Sequence, residues 1–305
     1  MIRYILRRLL GLIPVVLIIL ALAFTLMRLA PGGPFDTDRA VHPTVRAQLE
    51  TKYRLDEPLP IQFVAVLASY LQGDLGPSYR YPGRSVNEFI AAGFPVSLQL
   101  GLIALGFAML FGLVSGIAGA VFQNRWPDHA AMGLALMGIS IPNFILGPVL
   151  ILLFSVVLAV LPAARWDGVQ HMILPGMTLG LAYAAYIARL TRGGLLEVIR
   201  QDYVRTARAK GLPERLVIFR HTLRGGLLPV ITFLGPALAG LFTGSLVVEK
   251  IFNIPGMGPY FVDAALNRDY TLALGVVLVD AAFLLLANLV VDVAYAMIDP
   301  RVKYA

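Results

Sequence analysis

The sequence predicts an all-α membrane protein of six transmembrane helices with both termini on the cytoplasmic side. Three observations carry this. Of the 305 residues, 58% are hydrophobic and only 14% charged, whereas soluble domains carry about 25% charged residues. The apolar residues fall into six runs, none shorter than the roughly 17 residues at which a helix begins to cross a bilayer. The basic residues gather between those runs on one side, which is how orientation is set in a membrane.

The formal charge of +7 does not point to nucleic acid, because the basic residues sit in short segments between apolar runs and not on one soluble face. The chain contains no cysteine, which excludes disulfides, Cys-ligated metals and a thiol nucleophile.

The first span is read from Leu9 to Met27. Arg3, Arg7 and Arg8 followed by Ala21-Leu22-Ala23 resemble a signal peptide, but the apolar stretch continues past those alanines, so it is read as a retained helix. The second span runs from Val96 to Phe122. The third, Ala130 to Ala164, is too long for one straight helix and is interrupted by Pro142-Asn143 and Pro148, which predicts a bend or break. The fourth is Met172 to Ala188, the fifth Leu227 to Val248, and the sixth Tyr270 to Met297, containing Asp280 and Asp292. Glycines recur at 101, 106, 112, 116 and 119 and at 235, 240 and 244. Small residues let helix backbones approach closely in lipid, and packing inside the chain is the reading for most of them.

Fourteen basic residues lie on the side that holds the termini: Arg3, Arg7, Arg8, Arg125, Arg192, Arg200, Arg205, Arg208, Lys210, Arg215, Arg220, Arg224, Arg301 and Lys303. The opposite short loops hold Arg165, Lys250 and Arg268. That asymmetry places the termini inside. The expected organisation is then a tail and first helix (1–29), an extracytoplasmic loop (30–94), and a five-helix core (95–305) that includes a cytoplasmic loop (191–226).

The loop from Ala30 to Phe94 has a turn-rich start, an expected helix at Thr44–Tyr53 and an amphipathic stretch at Pro60–Leu71. It is too rich in Tyr, Phe and Leu for a flexible tether, so it is read as a folded element, either a lid or docking surface or a cover for helix ends. In the cytoplasmic loop, Gly194–Lys210 is expected to be one helix. Gly211 suits the left-handed position after a helix end, and Pro213 the first turn of a second helix ending near Leu223. Thr206, Ala207 and Ala209 make the turn a small-residue knuckle, either a solvated basic loop or something inserted into a partner's groove.

The run DYVRTARAKGLPERLVIFRHTLRGGLLP, Asp202 to Pro229, resembles the cytoplasmic EAA loop of bacterial ATP-binding-cassette importer permeases. That pattern is Glu-Ala-Ala, three residues, Gly, then a spacer ending in Leu-Pro. Here Arg205-Thr206-Ala207 hold the first places and Gly211 the glycine. Arg replaces the acid, Thr one alanine, and the spacer to Leu228-Pro229 is longer than in sugar permeases, variations that resemble the oligopeptide/dipeptide branch. MIRYILRRLLGLIPVV, Arg28–Gly32, Gly73–Ser78, Ser140–Phe144 and Ile298–Arg301 are similar to B-type subunits of that branch, so the likeness spans the chain.

The resemblance implies a type I importer permease in a bacterial inner membrane, crossing the lipid bilayer several times. It would pair with a second, homologous permease subunit as a heterodimer. Two cytoplasmic ATP-binding subunits would bind ATP and Mg, and an extracytoplasmic binding protein would deliver oligopeptides, or in related systems dipeptides, glutathione, nickel or another small solute. The coupling element would be Arg205, Thr206, Ala207, Arg208, Ala209, Lys210, Gly211, Leu212 and Pro213, with Arg208 and Lys210 pairing charges at the groove rim. The chain has no Gly-x-x-x-x-Gly-Lys-Ser/Thr run and is expected to carry no ATP site, no cofactor and no catalysis of its own.

Asp280 and Asp292 are candidates because an isolated carboxylate in a membrane is expensive. Their spacing puts them about 120° apart on a helix, which argues against a relay. Asp292 is read as a structural tie to a basic residue at the first span, and Asp280 as a pathway residue. Asn143 either offers polar groups to cargo or satisfies backbone groups that Pro142 leaves open. The four histidines are scattered without ligand spacing. An ion-driven secondary transporter fits the spans, but no internal repeat supports it. A membrane enzyme would need acids that converge.

Overall fold

The computed structural model describes residues 2–29 and 55–298, so the expected Thr44–Tyr53 helix and the Asp299-Pro300-Arg301 motif lie outside the described residues. The described residues form helices joined by short turns and by two longer loops, 72–85 and 158–168: α1 (Ile2–Leu29), α2 (Leu59–Leu71), α3 (Val86–Val121), α4 (Trp126–Ser140), α5 (Asn143–Val157), α6 (Val169–Ile199), α7 (Asp202–Ala209), α8 (Glu214–Gly226), α9 (Leu228–Ile251), α10 (Met257–Leu266) and α11 (Tyr270–Ile298). Four of them, α1, α3, α6 and α11, are individually long and apolar enough to cross a membrane. Two bent pairs, α4 with α5 at 111° and α8 with α9 at 54°, bring the count to six when each pair is one span.

The break in the third span falls at Pro142, while Pro148 lies inside α5 without interrupting it. Ile141 is extended (ψ 116°), because a proline ring clashes with a helical residue before it, and Pro142 is itself extended at ψ 143° as the residue before α5. Pro142 then accepts from the amides of Ile145 and Leu146 and starts α5. The last part of α5, Ile151–Val157, winds as a π-helix.

The chain divides into two compact units, residues 1–96 with 255–285, and residues 97–254 with 286–305. In the first, the fixed point is Asp269, 1% exposed at the start of α11. Its carboxylate accepts from the Ser78 hydroxyl, the amides of Tyr79 (3.1 Å), Arg80 (3.3 Å) and Leu272 (3.2 Å), and the Thr271 hydroxyl (3.0 Å). A buried carboxylate is tolerated only when its lone pairs are filled this way. The loop 73–85 is thereby buttoned to α11. In the same unit Arg28 lies over the rings of Phe24 and Tyr270 at 5.4 and 5.5 Å. These residues, with Tyr70, Tyr79 and Gln62, help line a cavity of about 350 Å³.

In the second unit α6 is the central helix, burying Leu174, Leu179, Ile187 and Leu195. Its alanines Ala185 and Ala188 pack against Ala135 of α4, with Met132 and Ile139 around them. Ala184 and Ile187 meet Ala108 of α3 and Val230 of α9. The close approach of α3 depends on glycine. A methyl at Gly116 would stand 2.5 Å from Thr191 Cβ and 2.6 Å from the Ala188 carbonyl oxygen, and one at Gly112 would be 2.7 Å from Ile187. Such distances exclude any side chain, so these glycines serve packing within the chain. Gly106, by contrast, has nothing within 4 Å of where a Cβ would lie.

Candidate functional site

The cytoplasmic loop is built in three pieces, where the sequence led us to expect two. α6 runs on to Ile199, and the helix then breaks at Arg200 and Gln201, the latter extended at ψ 151°. The single helix expected over Gly194–Lys210 is therefore corrected: Gly194 lies inside α6, and α7 is a separate eight-residue helix. The reason is packing. A methyl at Gly194 would overlap the Gly226 carbonyl oxygen, so the glycine is there to let the end of α8 lie against α6 and does not mark a helix start. Pro213 (φ −64°, ψ 142°) caps α8 from just outside it, one position earlier than expected.

The turn between α7 and α8 closes by a specific backbone pattern. The Gly211 amide donates to the Arg208 carbonyl (2.9 Å) and the Leu212 amide to the Ala207 carbonyl (3.4 Å). That pair of bonds is the Schellman motif, with Gly211 in the left-handed position at φ +75°. Leu212 then packs inward on Val198, Val204, Ala207 and Val217, which supplies the apolar contact that accompanies the motif. The knuckle is thus seated on the last turn of α6 by its own small core.

This core sorts the nine residues expected to form the coupling element. Ala207 is 5% exposed, so its small size serves the loop's own packing, and Leu212 is half-buried. Arg205, Thr206, Arg208, Ala209, Lys210, Gly211 and Pro213 are exposed. The Thr206 hydroxyl donates back to the Asp202 carbonyl at 2.9 Å. Arg208 forks onto Glu214 with bonds of 3.1 and 2.6 Å, bracing α7 against α8 across the turn. That hydrogen bonding holds the Glu214 carboxyl below the ordinary glutamate range. Arg208 therefore already has an acidic partner within the chain, and Lys210 is the cation on the exposed turn beside it.

The two pathway candidates lie in different compact units. Asn143 opens α5 just beyond the Pro142 break and is half-buried. Asp280 is half-buried on α11. Among the described residues no three His, Asp or Glu side chains gather so as to hold a metal ion. Sequence reasoning passed over three buried acids, Asp128, Glu249 and Asp269. Asp269 had a readable signal, since an acid immediately before an apolar run is an N-cap signature.

Residues 108–304 match the family described as "Binding-protein-dependent transport system inner membrane component", and residues 1–100 match its N-terminal companion. The chain is 46% identical over 307 residues to the oligopeptide transport system permease protein OppB of Haemophilus influenzae, covering 100% of both chains. It is 46% identical to the dipeptide transport system permease protein DppB of Bacillus subtilis, covering 99% of this chain and 98% of that one. It is 45% identical to the glutathione transport system permease protein GsiC of Salmonella choleraesuis, covering 100% of both. Among solved structures, a chain of the inward-facing MetNI methionine ABC transporter shares the fold. The TM-score is 0.58 at 17% identity, covering 68% of this chain and 94% of that one.

Proposed function

The chain belongs to the family of binding-protein-dependent transport system inner membrane components, and from that premise we propose that it forms half of the translocation pathway of an ATP-driven importer of short peptides. Members of this family work with ATP-hydrolysing subunits, a second permease and a solute-binding protein. In this reading the second permease is a homologous but different chain, and two ATPase subunits each grip one permease. The inner-membrane placement fits the apolar helices described above.

The observation that carries the reading is the knuckle Arg205–Pro213. Its exposed face is small and basic, its angle is set by the Schellman turn, and its inner face is fused to α6 through Val198, Val204, Ala207 and Val217. A part that must pass a rigid-body motion from a soluble ATPase to a membrane helix needs that combination of stiffness and access. Peptide cargo is supported by relatives named for oligopeptide, dipeptide and glutathione transport at nearly equal identity. Their common denominator is the short peptide backbone. Asn143 at the broken span and Asp280 in α11 are the residues we assign to the pathway.

The test is uptake. The chain is co-expressed with its genomic partners, reconstituted in proteoliposomes with binding protein, and offered labelled di- to pentapeptides with and without ATP inside the ATPase-facing compartment. ATP-dependent peptide accumulation is the expected result. Accumulation driven by an ion gradient without ATP would overturn the importer reading, and ATP-driven uptake of a non-peptide solute alone would overturn the cargo.

A further inference from the structure

At the cytoplasmic ends of three helices an ion pair is closed into a tight joint. Asp128, in the first turn of α4, is 2% exposed. Arg192 of α6 donates to both of its oxygens, Nε to Oδ1 at 2.6 Å and Nη2 to Oδ2 at 2.7 Å. The amide of Asn124 adds a third bond to Oδ2 at 2.9 Å, brought there by a left-handed turn at φ 61°. On α3, Gly119 leaves the space: a Cβ there would lie 3.2 Å from Asp128 Oδ1 and 3.2 Å from Arg192 Cδ.

The position of this joint gives it meaning. Two turns beyond Arg192, Val198 enters the core of the knuckle, and Gly194 takes the backbone of Gly226 against α6. Any displacement of α7 and α8 is therefore delivered to α6 within two turns of Arg192. Elsewhere α4 and α6 meet through Ala135, Ala185 and Ala188, with Met132 and Ile139 around them, apolar contacts that carry no directional bond. A bidentate guanidinium–carboxylate fork does not slide, because both of its bonds depend on one mutual orientation.

We propose that Asp128 and Arg192 are positioning residues that lock α4 to α6, so that the half-span before the Pro142 break follows the coupling knuckle during transport. This rests on the coupling role proposed for Arg205–Pro213. The joint is a transmission element, and its loss uncouples ATP hydrolysis from solute movement without removing either partner from the complex.

The experiment compares peptide transported per ATP hydrolysed in the reconstituted importer, with the amount of assembled complex measured alongside. D128N and R192Q are expected to lower that ratio by roughly tenfold, mid-range for a coupling free energy between two sites, with ATPase turnover per complex retained. R192K, which keeps charge but not the fork, is expected to recover little. The deciding variant is the double replacement D128L/R192M. Replacing both partners of a buried pair by apolar groups of like size restores stability when stability is all the pair supplies. The double variant is expected to assemble normally and remain uncoupled. If it couples like the unmodified chain, or if the single variants lose transport and ATPase activity only in proportion to lost assembly, the joint is structural and the proposal is wrong. An unmodified complex that hydrolyses ATP without ATP-driven uptake would overturn the proposed function instead, and this inference with it.

Discussion

Gly211 shows at the scale of one residue how a requirement can be separated into space and conformation. A Cβ built there meets nothing within 4 Å, yet φ is +75°. The need is therefore conformational, since a β-branched residue in this region costs roughly 1–2 kcal/mol and Asn much less. G211N is expected to keep ATPase subunits bound in detergent and to keep transport, whereas G211V is expected to lose both at unchanged expression. Co-purification of the ATPase measures the difference. Equal loss in the two variants would show that the groove excludes any side chain, which would move the constraint from this chain's backbone to the partner's surface.

At the scale of the element, the helices that cross apolar surroundings were legible in the sequence, and their ends were less so. The first and sixth spans were read as Leu9–Met27 and Tyr270–Met297 and appear as Ile2–Leu29 and Tyr270–Ile298. The fourth was read as Met172–Ala188 but runs from Val169 to Ile199, because hydropathy marks the lipid-crossing length and not the turns a helix adds beyond it. The break at Arg200-Gln201 carries no Gly or Pro and was invisible for that reason. The break at Pro142 was visible because proline chemistry is local. The Asp128–Arg192 joint was hidden for a further reason: the two residues are far apart in sequence, and each alone resembles an ordinary charge at a helix end. The glycines of α3 divide the same way, since composition cannot tell which face each one occupies. The structure makes that division testable. G116V, which would drive a side chain into Thr191 and Ala188, is expected to destabilise the subunit by about 1–3 kcal/mol, the usual cost of overpacking, and to lower its melting temperature in detergent. G106A in the same helix is expected to leave the melt unchanged. A G116V protein that melts like the unmodified chain would mean α3 and α6 do not pack as described.

At the scale of the whole molecule, the orientation rests on charge asymmetry, and the structure adds which positions can report it. The chain has no cysteine, so each introduced thiol is the only one and its labelling is unambiguous. Arg125 and Arg215 are exposed and belong to the segments read as cytoplasmic, whereas Arg80 and Asp167 are exposed on segments read as extracytoplasmic. In intact cells a membrane-impermeant maleimide is expected to label R80C and D167C and to spare R125C and R215C until the membrane is opened. The pattern tests more than direction. Arg125 and Arg215 are separated by the broken third span and by α6, so they share a side only if α4 and α5 together cross the bilayer once. Were the 111° bend a re-entrant loop instead, segments on the two sides of it would exchange faces. Asp167 would then be protected together with Arg125, and Arg215 would label with Arg80. That result would leave the coupling knuckle on the wrong side of the membrane for a cytoplasmic ATPase. The expected pattern instead puts the fourteen basic residues and the knuckle on the side where ATP is hydrolysed, in agreement with the excess of Lys and Arg in cytoplasmic segments.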